Sequence, residues 1–324
     1  MTSGNLPRPD VHRDSSLPRS VRVYEVGPRD GLQAEKTMVP TATKVEFCRR
    51  LVASGITNLE LTSFVSPRWV PQLADAEDLM AALDLPSSVR QIVLAPNARG
   101  LDRALAAGAT EIAVFVSATE TFAYKNLGST MSDALASAEV VVSGAAAAGI
   151  TTRGYISMCF GDPWEGAVDV HRVADVAEQL MAMGVGTLSL GDTIGVATPA
   201  HVLAVLEAVL ARGITVDTVA MHLHDTYGQA LANVHASLTA GVTEFDSSAG
   251  GLGRCPYANG ATGNLATEDL VWMLDGLGID TGVDLHALSD VSAWLADTMG
   301  RPSSSAVVRA LSAARADRTL SPTR

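Results

Sequence analysis

The segment TLSLGDTIGVATPAHVLAVLEAVLARGITVDTVAMHLH, Thr187–His224, is the clearest indication of how this chain folds. It opens with a short apolar run and continues with an alanine-rich amphipathic stretch over Pro199–Arg212. A second run of apolar and β-branched residues begins at Val219. Gly213 directly follows the amphipathic stretch, and a glycine at that point commonly ends a helix. A strand, a helix and a second strand in this order predict a parallel β-α-β unit.

The same unit recurs along most of the chain. The predicted strands are Val21–Val26, Asn58–Thr62, Gln91–Ala95, Glu111–Val116, Thr152–Met158, Thr187–Leu190, Val219–His224 and Glu244–Ser247. The predicted helices include Thr41–Ser54, Asp133–Ala148, His171–Met183, Pro199–Arg212, Leu231–Ala240 and Ala266–Asp275. About eight units within roughly 250 residues predict a (β/α)8 TIM barrel, an α/β fold. An open doubly wound sheet is the alternative, but no glycine-rich dinucleotide-binding turn follows the first strand.

The chain divides into a barrel and two flanking segments. We predict that residues 21–300 form the catalytic barrel. Residues 1–20 combine several prolines and scattered arginines with no apolar period, which predicts a disordered leader. A helical pattern from Leu285 to Ala316 predicts a C-terminal helical extension, with residues 301–324 as a helical or flexible tail.

Composition excludes several classes of protein. The chain has 324 residues, 47% of them hydrophobic, and a net charge of −12. No run of about 18 uninterrupted apolar residues occurs, which argues against a membrane span. The acidic balance and the lack of a basic run argue against binding to nucleic acid or to anionic membranes. Cys48, Cys159 and Cys255 cannot all pair and lack zinc-ligand spacing, so we expect a reducing cytosol.

Ionisable residues collect where the predicted strands end, which is where barrel enzymes place their chemistry. His222 and His224 are two residues apart on a strand, so their side chains share one face. An isolated pair of this kind is more commonly a hydrogen-bonded core pair. Here Asp30, at the end of the first strand, can complete a metal site. Imidazole and oxygen ligands without a thiolate favour Mg²⁺ or Mn²⁺, with zinc as the alternative.

Further catalytic candidates surround this predicted site. We interpret Arg29 as a residue that holds an anionic substrate oxygen, rather than as one half of a surface ion pair. Gln33, in the same segment, is assigned to substrate binding together with Arg29. Glu60 and Asp192 also follow strand patterns. We expect them to be supporting carboxylates of the catalytic site, one of which orients Arg29 or a histidine.

The run DSSAGGLGRCPYANGATGNLATEDL, Asp246–Leu270, places Cys255 among glycines and small polar residues. A buried structural cysteine normally has apolar neighbours. A thiol beside Arg254 in such a loop is instead a candidate proton donor or nucleophile. The glycines could alternatively hold a phosphate, but the run lacks the P-loop lysine.

Five stretches together resemble the 3-hydroxy-3-methylglutaryl-CoA (HMG-CoA) lyase family, over roughly Val21 to Gly300. They are GPRDGLQ (Gly27–Gln33), TSFVSPRWVPQLADAEDL (Thr62–Leu79), LGDTIGVATP (Leu190–Pro199), HLHDTYGQALAN (His222–Asn233) and GLGRCPYANGATGNLATEDLV (Gly251–Val271). The resemblance implies metal-assisted retro-Claisen cleavage of an acyl-CoA, HMG-CoA, to acetyl-CoA and acetoacetate. It also implies a homodimeric enzyme of leucine catabolism and ketone-body formation.

The resemblance assigns roles to individual residues. It implies that Asp30, both histidines of the His-x-His pair and Asn264 are metal ligands. It implies that Arg29 stabilises the enolate oxygen of the departing acetyl-CoA and that Cys255 protonates the enolate carbon. Asp30 is our choice of base. A thiol with a reference pKa near 8.5 is largely protonated at neutral pH, which permits the acid role.

The chain departs from the family signature just before the cysteine, where valine-alanine-glycine-leucine-glycine-glycine is usual. Ala249 and Gly250 fill the first two places and Arg254 fills the last. Arg254 either lowers the pKa of the thiol or contacts an acidic group of the substrate.

Three alternatives to the HMG-CoA lyase assignment remain. The first is a sister lyase for another 3-hydroxy-acyl-CoA with a longer branch. The second is an acetyl-CoA-condensing synthase of the isopropylmalate type, against which the cysteine loop argues. The third is a non-catalytic binding barrel, against which the presence of Arg29, Asp30, both histidines and Cys255 argues.

Overall fold

A closed ring of eight parallel strands forms the centre of the computed structural model, which describes residues 6–253 and 263–320. The strands are β1 (Arg22–Glu25), β2 (Asn58–Ser63), β3 (Arg90–Leu94), β4 (Glu111–Ser117), β5 (Thr151–Ser157), β6 (Thr187–Asp192), β7 (Val219–Leu223) and β8 (Glu244–Ser247). Strands β1 and β8 close the ring in parallel, from Arg22 opposite Glu244 to Glu25 opposite Ser247. The predicted (β/α)8 barrel is confirmed, and each strand lies within two residues of its predicted bounds.

Helices follow the strands around the outside of the ring. They are α1 (Thr41–Ala53), α2 (Ala76–Ala82), α3 (Ala98–Ala106), α4 (Glu120–Leu127), α5 (Met131–Ala147), α6 (Val170–Met183), α7 (Pro199–Leu210), α8 (Ala230–Thr239), α9 (Thr267–Gly276), α10 (Leu285–Met299) and α11 (Ala306–Leu320). Helix α6 shows how local sequence sets the bounds. Asp169 accepts a hydrogen bond from the backbone N–H of His171 at its start, and Gly184 ends it in the left-handed conformation.

Successive residues of each strand point to opposite faces, so the core has two parts. Val23 packs outward into the large apolar layer between strands and helices, whereas Tyr24 belongs to a smaller cluster inside the ring. Arg153 is fully buried, with its guanidinium carbon 3.9 Å from the centre of the Tyr24 ring. The interior is therefore partly apolar and partly ionic.

Residues 6–20, expected to belong to a disordered leader, instead lie against the barrel. Leu17 is buried in the main apolar core. Arg13 donates a hydrogen bond of 2.6 Å to the carbonyl oxygen of Gly278, in the turn that follows α9. The backbone N–H of His12 also donates to the carbonyl oxygen of Gly276 at 2.9 Å, so the segment contacts the barrel without an apolar period. Residues 1–5 lie outside the described part of the chain.

The predicted C-terminal helical extension is present, but as two helices. Helix α10 ends at Met299 and is capped by Gly300, which has φ of 66°, and Pro302 follows before α11 begins at Ala306. The pattern read as one continuous helix therefore breaks where a left-handed glycine and a proline come together. Residues 321–324 lie outside the described range. Among residues 6–253 and 263–320, no helix combines the length and the apolar character needed to cross a bilayer.

Candidate metal and catalytic site

A short π-helical turn, Gly27–Gly31, follows β1 and presents Arg29 and Asp30 at the carboxyl end of the ring. The backbone N–H of Gly31 donates to the carbonyl oxygen of Val26 at 3.1 Å. A Cβ at Gly27 would lie 2.5 Å from Oε1 of Glu25, so any larger residue here would have to displace that carboxylate. The backbone of the turn therefore fixes two adjacent charged side chains.

Asp30, His222 and His224 converge at this end of the barrel. Each offers one ligand atom, and these atoms lie within 4.8 Å of one another. The Nε2 atoms of the two histidines are 3.2 Å apart. The structure thus brings together three of the four residues predicted as metal ligands, from segments that are remote in sequence.

Asn264, the fourth predicted ligand, lies beside the other three. Its Nδ2 donates to Oδ2 of Asp30 at 2.8 Å and to the carbonyl oxygen of Leu252 at 3.0 Å. Its Oδ1 is buried and accepts no hydrogen bond from the described residues. A buried polar atom without a partner carries a free-energy cost, which a bound cation would remove. Two imidazoles, a carboxylate and an amide oxygen fit a divalent metal ion.

The pKa values of Asp30 and His224 suit a cation, whereas the raised pKa of His222 favours the protonated ring, whose extra proton a bound metal would displace. Burial and the neighbouring His222 lower the pKa of His224 to about 4, so this ring is neutral near pH 7. Burial, the largest influence, raises the pKa of Asp30, but Arg29, the two histidines and the hydrogen bond from Asn264 together outweigh it and hold that pKa at about 2. Burial alone would lower the pKa of His222, but its hydrogen bond to Asp246 and the charge of that carboxylate raise it. A neutral imidazole and an ionised carboxylate are the ligand forms that metals bind.

Arg29 is 7% exposed and is held on two sides. Its Nη1 lies 2.7 Å from Oδ1 of Asp30, and its Nη2 lies 2.6 Å from Oε2 of Glu60. The ring of Tyr155 lies 5.5 Å from its guanidinium carbon. Gln33 donates to Oδ1 of Asp30 at 3.2 Å. Glu60 therefore occupies the position expected of a carboxylate that orients Arg29.

Asp192, the second predicted supporting carboxylate, contacts backbone N–H groups. Its two carboxylate oxygens accept hydrogen bonds from the backbone N–H groups of Val196 at 2.9 Å and Ala197 at 3.0 Å. Burial raises the pKa of Asp192 to about 6. The described contacts place Asp192 as a support for the loop after β6. The residue that hydrogen-bonds a histidine is Asp246, whose Oδ2 lies 3.3 Å from Nδ1 of His222.

Sequence reasoning missed Asp246, although a signal was present. Glu244 and Asp246 are two residues apart on the predicted strand β8, so both side chains point to the same side of it. That side is the interior of the ring, where both carboxylates pair with Arg153. Two acids on one face of a short buried strand require a cation or a functional partner.

Cys255 and Arg254 fall in residues 254–262, outside the described part of the chain. The flanking Gly253 has φ of 112°, and a Cβ there would lie 2.5 Å from Nδ2 of Asn264. A side chain at residue 253 would therefore displace a candidate metal ligand. Cys48 and Cys159 are buried and unpaired, as expected of packing residues.

The turn Ala249–Gly251 before that segment is held by two buried glutamates. Glu25 accepts a hydrogen bond from the backbone N–H of Ala249 at 2.9 Å, and Glu268 accepts one from that of Gly250 at 2.9 Å. Burial raises the pKa of Glu25 to about 7 and that of Glu268 to about 8. The start of the cysteine segment is thus fixed by carboxyl groups that titrate near neutral pH.

Comparison with known proteins agrees with this geometry. Residues 20–295 match the HMGL-like family model. The mitochondrial hydroxymethylglutaryl-CoA lyase of Arabidopsis thaliana is 50% identical over 295 residues, which are 91% of this chain but only 63% of that relative. The cytoplasmic 3-hydroxy-3-methylglutaryl-CoA lyase of Rattus norvegicus is 45% identical over 309 residues, 95% of this chain and 90% of the relative.

A solved structure of a hydroxymethylglutaryl-CoA lyase has the same fold as this chain. Hydroxymethylglutaryl-CoA lyase from Pseudomonas aeruginosa superposes with a TM-score of 0.90 at 45% identity, covering 92% of this chain and 99% of that one. The resemblance inferred from the five sequence stretches is confirmed over nearly the whole barrel. The chain therefore belongs to the HMGL-like family, together with the hydroxymethylglutaryl-CoA lyases.

Proposed function

We propose that this protein is a metal-dependent carbon–carbon lyase that cleaves HMG-CoA to acetyl-CoA and acetoacetate. The observation that carries the proposal is the convergence of Asp30, His222 and His224 within 4.8 Å, directly beside the buried Arg29. A metal site next to a fixed cation suits a reaction in which negative charge develops on oxygen. Similarity to HMG-CoA lyases over nearly the whole chain supports the choice of substrate.

A divalent ion, Mg²⁺ or Mn²⁺, held by Asp30, His222, His224 and Asn264 would supply Lewis acidity toward a substrate oxygen. The low pKa of Asp30 keeps its carboxylate ionised, which is the form that an acceptor of the 3-hydroxyl proton must have. Arg29 lies within hydrogen-bonding distance of that carboxylate and can donate to the thioester oxygen as it gains charge.

Residues of this chain can accept and return the protons that move in the proposed cleavage. The 3-hydroxyl loses its proton to Asp30 and becomes the ketone of acetoacetate. The C2–C3 bond breaks, and its electron pair becomes the enolate of acetyl-CoA, whose oxygen Arg29 stabilises. Cys255 gives a proton to the enolate carbon, a role that rests on the family resemblance. The proton held by Asp30 then returns the thiolate to the neutral thiol, which closes the cycle. Gln33 lies close enough to Asp30 to contact the same substrate.

We further propose that the protein works as a homodimer in the cytosol and serves leucine catabolism and ketone-body formation. The cysteine content supports a reducing compartment. The name of the rat relative includes the word cytoplasmic, whereas that of the Arabidopsis relative includes mitochondrial.

The test is a coupled assay of acetyl-CoA release from a panel of 3-hydroxy-3-alkylglutaryl-CoA thioesters. We expect the methyl substrate to give the highest kcat/KM. Activity should disappear after chelation and return with Mg²⁺ or Mn²⁺. His222→Ala should lose metal binding and activity, whereas the control His171→Ala, at an exposed position on α6, should retain both. Higher kcat/KM with a longer branch would favour the sister lyase, and full activity in metal-stripped enzyme would overturn the metal assignment.

A further inference from the structure

We propose that Asp246, held by Arg153 and Ser189, positions the imidazole of His222 for metal binding. Asp246 lies on β8 and is 1% exposed. The inference rests on the metal site of the proposed function and adds a residue to it. Asp246 is a positioning residue, since it acts on the site through His222.

The two carboxylate oxygens of Asp246 contact different groups. Oδ1 accepts a hydrogen bond from Nη2 of Arg153 at 2.5 Å. Oδ2 accepts one from the hydroxyl of Ser189 at 2.7 Å and lies 3.3 Å from Nδ1 of His222. The contacts from β5 and β6 leave the carboxylate little freedom, so its position relative to the histidine is fixed.

This contact determines which nitrogen of His222 carries the proton. A carboxylate that already accepts from Arg153 and Ser189 has only acceptor capacity left, so Nδ1 of His222 must be the donor. Nε2 then keeps its lone pair, and Nε2 is the atom that lies 3.2 Å from Nε2 of His224. A histidine that donates one nitrogen to a carboxylate offers the other to a metal with fixed orientation and higher basicity.

Arg153 makes the arrangement rigid. It is fully buried, its Nη1 pairs with Glu244, and its guanidinium lies over the ring of Tyr24. Arg153 comes from β5 and both of its acids from β8, so the ion pairs cross the interior of the ring. If Glu244 and Asp246 served only to neutralise the buried charge of Arg153, the two acids would have the same role. Only Asp246 also reaches a candidate metal ligand.

That difference supplies the matched control. Asp246→Asn and Glu244→Gln each remove one anionic partner of Arg153, but only the first alters the group opposite His222. We expect Asp246→Asn to weaken Mn²⁺ binding, measured by titration calorimetry, by about 10- to 100-fold. Glu244→Gln should keep Mn²⁺ affinity near that of the parent even if both variants unfold at lower temperature.

A second readout needs neither metal nor substrate. In the metal-free parent, ¹⁵N NMR of the histidine rings, assigned with His222→Gln, should show the proton of His222 on Nδ1. A neutral His222 ring in the parent with its proton on Nε2 instead of Nδ1 would overturn the proposal even if Asp246→Asn failed to fold. Equal Mn²⁺ affinities of Asp246→Asn and the parent would also overturn it. Failure of the parent to bind Mn²⁺ at all would instead overturn the proposed function, and the inference with it.

Discussion

The hydroxyl of Ser303 donates a hydrogen bond of 2.9 Å to the carbonyl oxygen of Gly250, and so joins the segment between α10 and α11 to the turn after β8. Ser304 donates to the same carbonyl oxygen through its backbone N–H at 3.1 Å and through its hydroxyl at 3.0 Å. Gly250 is also one of the positions at which this chain departs from the family signature. The C-terminal segment therefore packs against a turn that leads in sequence directly to Cys255.

Gly250→Ala should destabilise the protein. Gly250 has φ of 65°, and a Cβ there would lie 3.1 Å from Oγ of Ser303. The backbone conformation alone should cost about 1–2 kcal/mol of unfolding free energy. Gly300→Ala is the matched control, because Gly300 has φ of 66° but no atom within 4 Å of an added Cβ. Urea unfolding should show the larger loss for Gly250→Ala, and equal losses would mean that the serines move aside at no cost.

Stability should fall as pH rises through the range in which Glu25 titrates. In the unfolded chain its pKa is near the ordinary 4.5, whereas burial raises the pKa of the folded group to about 7. Between those values the folded protein binds a proton that the unfolded chain has released. The stabilisation is therefore complete below the lower value and is lost as pH rises through the upper one, by up to roughly 3 kcal/mol.

Glu25→Gln should flatten that dependence, because an amide can accept from Ala249 and donate to Thr267 without titrating. Urea unfolding of chelated protein between about pH 5 and about pH 8 measures the slope. Glu46→Gln, at a half-exposed position on α1, should leave the slope unchanged. If Glu25→Gln kept the parent slope, the pH dependence would have to come from another group, such as Glu268.

Arg29→Gln should lower kcat by about 10²-fold or more, because Arg29 is proposed to stabilise charge that develops in the transition state. Substrate affinity should change much less. Arg172→Gln, at the surface of α6, is the control and should behave like the parent. A loss confined to KM would instead make Arg29 a substrate anchor. Steady-state kinetics at saturating Mg²⁺ separate the two outcomes.

Cys255→Ala should bind substrate and metal but lose most of its turnover, because the enolate then lacks its proton donor. Alkylation should inactivate the parent, and a saturating substrate analogue should protect it. If Arg254 lowers the pKa of the thiol, Arg254→Gly should react more slowly at about pH 7. An unchanged alkylation rate would leave Arg254 with a role in substrate selection. A fully active Cys255→Ala enzyme would remove the thiol from the mechanism.

Local sequence patterns were sufficient to predict the barrel. They also predicted that most of the candidate site residues lie close together at the carboxyl ends of the strands. Glycines after helices and apolar runs between them mark each unit. The rule that strand ends share one rim then brings Asp30 close to His222. Contacts that depend on the interior of the ring were not predictable in this way. Asp192 and Asp246 both occupy predicted strands or their ends, and only the packing shows that the second one reaches a histidine.

The two ends of the chain were also harder to predict from sequence periodicity than the barrel was. Periodicity reports the repeated burial of one face, so it cannot detect a segment such as residues 6–20, which is held mainly by Leu17 and a few hydrogen bonds to the backbone. Nor does it show that Gly300 adopts the left-handed conformation, which depends on the backbone that follows.

The candidate ligands come from the first and last parts of the barrel sequence: Asp30 follows β1, whereas His222, His224 and Asn264 lie on or after β7 and β8. These parts become neighbours only when β1 pairs with β8. An ion bound by all four residues would bind the closed ring and not a chain whose first strand has detached, so its binding free energy would add to that of closure. Metal depletion would then do more than stop turnover. It would raise the population of molecules open at the β1–β8 seam and so expose the enzyme to proteolysis.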